Sequence, residues 1–393
     1  MGIDGLNPFL NETMHRPRTR EVPLVNFYGQ IIAIDGHNRA YSNFMVANKV
    51  VANYTNVGSQ DIDRNAVLQK WYYSTLETVC LFLSHGVTPV FIFDGEHLPE
   101  KVDTQDKRKE AKRKDHEEIE QLKEILRNAS PFDRDAKKID RLKQLLARSN
   151  YIAKDEMKKV MDLLLGIGIP VLQAKGEGEQ LCASLAKEGL VSAVYSEDTD
   201  NLVYGCPLMI TSVSDSYYVE EKNRSFRKVT CVLLTDILED LNWNQAKFID
   251  FCITLSCDFN IRIKGLGPKT AYKLIQEHGC IEEYPERYDL TCLRYKRCRE
   301  IFQHIPPIHI IEGDELPVTN EALQVDKQLF FTQGSDNLVE YSADNYTKRL
   351  WNLFSVLPEK AVGKLPNFPK RRIITLRRKV EESDKKEEIL QEE

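Results

Sequence analysis

The sequence predicts an α/β fold, a central and mostly parallel sheet flanked by helices. Three observations predict it. Five short apolar runs, at residues 31–34, 89–93, 169–173, 193–196 and 208–212, have the length and near-continuous hydrophobicity of strands covered on both faces. Helical patterns separate several of them, and that alternation is the mark of parallel strands joined by crossovers. A long charged insertion, residues 100–165, interrupts the alternation once without ending it.

Taken in order, residues 31–34 read Ile-Ile-Ala-Ile and run into Asp35. Residues 68–83 carry apolar positions at helical spacing. Residues 89–93 read Pro-Val-Phe-Ile-Phe and run into Asp94. The insertion that follows is too long for a simple crossover, helical in pattern, and broken near Ser130-Pro131. It reads as two exposed helices standing off the sheet, with a solvated helical hairpin as the plain alternative. The third run leads into Gly176-Glu177-Gly178-Glu179 and a helix over residues 179–187. The fourth ends in Glu197-Asp198-Thr199-Asp200. After residue 235 the pattern turns helical, and Gly265-Leu266-Gly267-Pro268-Lys269 leads into a helix over residues 272–278.

Composition narrows the class. Hydrophobic residues at 42% and charged residues at 29% describe an ordinary globular chain. No apolar run approaches the roughly 20 residues that span a bilayer, so no membrane partner is expected. The start lacks the charged and apolar regions of a signal peptide. Nine cysteines without zinc spacing read as free thiols rather than a metal site. A net charge of −6 runs against the basic balance usual for nucleic-acid binders. Clustered acids that gather cations would produce the same total while leaving local basic patches intact.

The acids fall at strand ends. Sites in open α/β sheets form beyond the carboxyl ends of the strands, so parallel strands deliver Asp35, Asp94 and Asp198 to one edge. Asp198 and Asp200, two apart on extended backbone, point the same way. Glu177 and Glu179 converge at a glycine-flanked helix start, where the helix dipole favours negative charge. Asp258 follows a further apolar stretch. Several carboxylates in one place repel, and must protonate, separate or bind hard divalent ions. Any one of them alone could be merely a helix cap.

At this point the residues resemble the flap endonuclease family, within the wider XPG-type group of 5′ structure-specific nucleases. The resemblance runs from Met1 to about Tyr284. It is carried by Met1-Gly2-Ile3-Asp4-Gly5-Leu6, Phe93-Asp94-Gly95, Glu177-Gly178-Glu179, Ser196-Glu197-Asp198-Thr199-Asp200 and Cys257-Asp258-Phe259. It implies a PIN-like nuclease core with a helical arch and a helix-hairpin-helix region. It also implies that Asp35, Asp94, Glu177, Glu179, Asp198, Asp200 and Asp258 hold two Mg²⁺ ions, with Mn²⁺ able to substitute.

Further roles follow from the same resemblance. Lys101 and Arg108 become the cations that contact the scissile phosphate. Tyr41 stacks on a base near the cut. Gly2 lies close to the DNA junction. Lys107, Lys109, Lys112 and Arg113 draw a single-stranded flap toward the arch. Gly265, Gly267 and Lys269 grip duplex backbone in the hairpin, beside a monovalent cation. Without the family, Lys101 and Arg108 would read as members of a solvated charge run, and Tyr41 as a core residue.

The implied organisation has an N-terminal nuclease region at 1–100, an arch or cap at 101–165 and an internal nuclease region at 166–234. The hairpin and the end of the core occupy 235–350, and a flexible charged tail 351–393. The expected activity is hydrolysis of DNA at flapped or branched 5′ ends, with 5′→3′ exonuclease activity, by a monomer in replication and repair. A nuclear location is expected, or a cytoplasmic one if the chain is viral. Departures from the family are Asn48 in place of an arginine and the lack of an evident sliding-clamp motif, since Lys327 spoils the candidate at residues 324–331. The competing readings are a 5′→3′ double-strand exonuclease of the same superfamily and a non-catalytic DNA-junction module. A phosphatase reading of Asp198-Thr199-Asp200 fails, because such a pair should follow the first strand.

Overall fold

The computed structural model describes residues 2–56, 61–96, 98–129, 135–149, 151–220, 224–304, 310–312 and 316–318. Seven strands form one sheet: β1 (Arg20–Pro23), β2 (Ile31–Asp35), β3 (Thr88–Phe93), β4 (Val171–Gln173), β5 (Ala193–Tyr195), β6 (Leu208–Glu220) and β7 (Arg224–Leu233). Their order is β1-β7-β6-β5-β2-β3-β4. From β6 through β5, β2 and β3 to β4 every pairing is parallel, with Ile32 opposite Pro89 on one side and Ala193 on the other. β7 runs antiparallel to both β6 and β1. A separate pair, β8 (Ile310–Glu312) and β9 (Leu316–Val318), is antiparallel.

The helices are α1 (Leu6–Thr13), α2 (Gly36–Tyr54), α3 (Arg64–Ser84), α4 (Val102–Asn128), α5 (Ala136–Ser149), α6 (Lys154–Gly166), α7 (Gly178–Lys187) and α8 (Asp200–Val203). They continue with α9 (Leu234–Leu241), α10 (Gln245–Leu255), α11 (Pro268–His278) and α12 (Tyr295–Gln303).

Strand alternation explains why helices cover both faces. Side chains one residue apart on a strand point to opposite faces. Ile32, Ile34, Phe91, Phe93, Ala193 and Tyr195 face a core shared with Phe44 of α2, Trp71 and Phe82 of α3 and Leu164 of α6. Ala33, Ile92 and Val194, the residues between them, face a second core with Leu181 of α7, Phe251 of α10 and Ile275 of α11. Burying each large apolar side chain contributes about 1.5–3 kcal/mol, so two filled layers fix the strand ends firmly. Trp71 satisfies its indole by donating to the Ala40 carbonyl at 2.7 Å.

The insertion differs from expectation. It holds three helices, not two exposed ones. α4 and α5 pair around Ile119, Leu126, Leu142 and Leu145, a small cluster separate from both main cores. α6 instead buries Val160 and Leu164 in the sheet's own core and delivers the chain to β4. The Ser130-Pro131 break lies outside the described residues. Strands β1 and β7 were also unanticipated, and β6 continues well past residue 212. All nine cysteines are unpaired. Among the described residues no helix is long and apolar enough to cross a membrane. The clamp-motif candidate at 324–331 and the tail at 351–393 lie outside the described residues.

Candidate active site

Four parallel strands end on one edge, and two sets of hydrogen bonds hold the acids there. Asp35 closes β2 and caps α2: its Oδ1 accepts from the Asn38 N–H at 3.0 Å. The capping role that could have been its whole purpose uses only half the carboxylate. Its Oδ2 accepts from Ser196 Oγ at 2.8 Å. Ser196, just past β5, accepts in turn from the Asp198 N–H at 3.0 Å, and Asp198 Oδ1 accepts from the Asp200 N–H at 3.0 Å. One serine hydroxyl therefore sets two acids from separate strands against each other.

On the other side of β2, Asp94 follows β3. Its Oδ1 accepts from the Gly178 N–H at 2.7 Å, which joins it to the start of α7. Glu177 occupies the position before that helix and Glu179 its first turn, so the exposed N–H groups there favour both charges. Gly178 is required: a Cβ on it would lie 2.7 Å from Asp94 Oδ1. Carboxylate oxygens of Asp94, Glu177 and Glu179 all lie within 4.8 Å of one another, a spacing suited to one metal ion.

Asp198, Asp200 and Asp258 complete the edge, and their charges reach the others. Burial, followed by the Asp94 charge, pushes the Asp35 carboxyl up to about 7. Burial, then Asp35 and Asp94, holds Glu179 well above the usual carboxylate range. Burial likewise raises Asp198. Asp200 is raised well above its ordinary value by burial, then by Asp198 and Asp258. Among the described residues its buried Oδ1 has no hydrogen-bond partner. Such a cluster is costly as it stands and is relieved by divalent cations, so the donor set fits a pair of hard ions.

Two side chains of the arch base supply the positive charge that is present. Lys101 bonds to Glu177 and lies 3.4 Å from Asp258 Oδ2. Burial pulls its ammonium down, but Glu177, Glu179 and Asp258 outweigh that and hold it above its ordinary value. Arg108 places one guanidinium nitrogen 3.1 Å from each Asp258 oxygen. Thr104 Oγ1 donates to the Asp258 carbonyl at 3.1 Å, so α4 is fastened to the segment after α10.

The remaining sequence-derived residues are placed as follows. Gly2, at φ +93°, packs against the site: a Cβ there would meet Thr199 Oγ1 at 2.3 Å and Asp198 Oδ1 at 2.5 Å. Tyr41 is half-buried on α2. Lys107 and Lys112 are exposed on α4. Lys109 pairs with Asp106 at 3.0 Å and Arg113 with Glu110 at 2.8 Å and with Glu117. Gly265, at φ +79°, turns the chain between α10 and α11, and Gly267 caps α11 with Pro268 in its first turn. Lys269 pairs with Glu12 of α1 at 3.0 Å. Asn48 is fully buried and donates to the Phe44 carbonyl at 3.0 Å, an inward role unlike a DNA contact. The sequence reading missed Ser196, Asn38 and His37 as structural members of the site. Position, within three residues of Asp35, was the only signal for Asn38 and His37, whereas Ser196 also opens the motif that ends in Asp200.

Residues 1–115 match the XPG N-terminal domain and residues 168–258 the XPG I-region. The chain belongs to the flap endonuclease family of XPG-type nucleases. It is 31% identical over 360 residues to flap endonuclease 1 of Cryptosporidium muris (strain RN66), covering 89% of this chain and 72% of that one. Among solved structures it is similar to the catalytic core of Rad2 in complex with DNA substrate, with a TM-score of 0.52, 17% identity, and coverage of 91% and 100%. It is also similar to flap endonuclease-1 from Methanococcus jannaschii, with a TM-score of 0.50, 20% identity, and coverage of 88% and 99%. At such identities the structural likeness is one of fold.

Proposed function

We propose that this chain is a structure-specific nuclease that hydrolyses DNA phosphodiesters at 5′ flaps, with accompanying 5′→3′ exonuclease activity, using Mg²⁺. The carrying observation is the convergence of Asp94, Glu177 and Glu179 within 4.8 Å beside a Lys101 that bridges Glu177 and Asp258. Asp94, Glu177 and Glu179 would hold one ion, with Asp35, Asp198, Asp200 and Asp258 completing a site for a second. When bound, such a pair activates water and neutralises charge on the leaving oxygen.

The chain's own groups do the rest. Ser196 holds Asp35 and Asp198 at fixed separation, so the ligands are organised before any ion arrives. Lys101 and Arg108 exchange Asp258 and Glu177 for the scissile phosphate once cations satisfy those acids. Cations aimed at phosphoryl oxygens stabilise charge that grows in the transition state. Basic residues along α4 attract the single strand, and the turn at Gly265 and Gly267 holds duplex backbone through amides at the start of α11, without reading sequence. Replication and repair intermediates are the substrates this chemistry suits, with the protein working as a nuclear monomer.

The test is cleavage of end-labelled 5′-flap, nicked and blunt duplex DNA, with Mg²⁺ and with EDTA. Flap cleavage near the junction, abolished by EDTA, is expected. Cleavage only of blunt ends would make the chain an exonuclease, and binding without cleavage a junction-recognition protein.

A further inference from the structure

We propose that His37 is a substrate-binding residue whose Nε2–H donates to a phosphate oxygen of the strand being cut. This rests on the nuclease reading above. His37 stands in the first turn of α2, two residues after Asp35, with its side chain 35% exposed. Its ring is held from two sides. The Asp94 backbone N–H donates to Nδ1 at 2.8 Å, and Phe93 meets the ring edge-on at 5.4 Å and 74°.

The first of these contacts fixes the tautomer. A nitrogen that accepts from an N–H carries no proton, so the neutral ring bears its proton on Nε2. Asp94 Oδ2 lies 3.3 Å from the same Nδ1, but the shorter backbone contact already occupies that lone pair. Among the described residues no group partners Nε2. A half-exposed ring thus presents one fixed donor from beside Asp94, which is one of the three carboxylates whose oxygens converge. The ring stands against Asp94, so a phosphate drawn to ions held by Asp94 would approach on its side of the site. An oriented N–H donor suits that place, because it adds a bond to an anionic oxygen without pairing off a ligand acid.

The alternative is that His37 only braces the Asp94 backbone, and two substitutions separate the roles. Asparagine places an acceptor near the Nδ1 position and nothing near Nε2; glutamine places an amide N–H near Nε2 and nothing near Nδ1. His37→Asn and His37→Gln are compared with the parent in two assays. One is flap-DNA affinity by fluorescence anisotropy in EDTA and in Ca²⁺. The other is single-turnover cleavage of flaps carrying one methylphosphonate at successive positions around the cut.

The proposal expects H37N to lose about tenfold in cation-dependent flap affinity and in rate, while H37Q stays within about threefold of the parent, on the scale of one lost hydrogen bond to a charged group. One methylphosphonate position should slow the parent while leaving H37N no slower than it already is. Equal slowing of both proteins at every position, or loss by H37Q with H37N unaffected, overturns it. Absence of flap cleavage by the parent protein would defeat the nuclease reading instead, a separate outcome.

Discussion

The carboxylate edge and the helical arch are built by opposite means. At the edge, charged groups are buried and their neighbours come from distant parts of the chain: Ser196 bonds Asp35, and Gly178 bonds Asp94. Two packed cores beneath the strands leave those groups no freedom to separate. In the arch, charges are exposed and mostly pair locally or between the two helices, as Arg113 does with Glu110 and Arg141 with Glu118. Among the described residues a small apolar cluster and two ion pairs, Arg141 with Glu118 and Arg148 with Asp115, hold α4 to α5. Buried like charges hold energy that a divalent ion can release, whereas exposed ion pairs are worth little and are exchanged readily. On the proposed function the edge would be a fixed receptor for cations, and the arch a store of positive charge to be redirected to a passing strand. Lys101 and Arg108 join the two.

The largest effect that would break this contrast is at the edge itself. Asp198→Ala is expected to abolish Mg²⁺-dependent flap cleavage while changing flap-DNA affinity only a few-fold, measured by single-turnover kinetics and anisotropy. Parent-like cleavage would show that the acids are not a working unit.

At the junction, Lys101→Ala should slow single-turnover cleavage by about 10²–10³, the scale of removing one oriented charge-stabilising group. Arg108→Ala should cost less, because its side chain is 53% exposed against 13% for Lys101. Reversed magnitudes would move the phosphate contact outward along α4.

The edge should also be visible in stability. Asp35 is raised in the folded chain from 3.8 to about 7, so the folded form binds that proton more tightly than the unfolded form. The contribution is complete below the lower value and is lost as pH rises through the upper one. In EDTA the melting temperature should therefore fall between pH 4 and pH 7, and saturating Mg²⁺ should remove that slope. A rise over this range in EDTA would mean that the acids are already compensated.

The smallest effect belongs to the arch. Arg113→Ala should leave the melting temperature of the protein essentially unchanged, because its ion pairs are exposed and screened by solvent. It should weaken single-stranded flap binding mainly at low salt, lowering the salt slope by about 0.7. A large fall in melting temperature would show that the arch is held by its surface pairs after all.

How much was legible in the sequence follows from the same contrast. Parallel strands covered on both faces must be apolar throughout, so Ile31 to Ile34 and Val90 to Phe93 stood out, and each pointed at its terminal acid. The antiparallel margin carries no such signal. β1 is four residues long, with Arg20 and Glu21 exposed and a proline at its end, which only an edge strand tolerates. α6 was absorbed into the charged insertion because Val160 and Leu164 follow a run of lysines and acids without a break, and only packing shows which face they bury. Ser196 and His37 could not be singled out, since their importance lies in bonds to Asp35 and Asp94 from across the sheet. The family motifs named the acids; the hydrogen bonds show how they are held.

The most direct measurement of the central claim is calorimetric titration of the metal-free protein with Mn²⁺, without DNA, for the parent, Asp94→Asn and Asp198→Asn. Two ions should bind per chain of the parent, with affinity or stoichiometry reduced in each variant. Binding that is the same in all three proteins would contradict it, because the acids would then not be what gathers the ions.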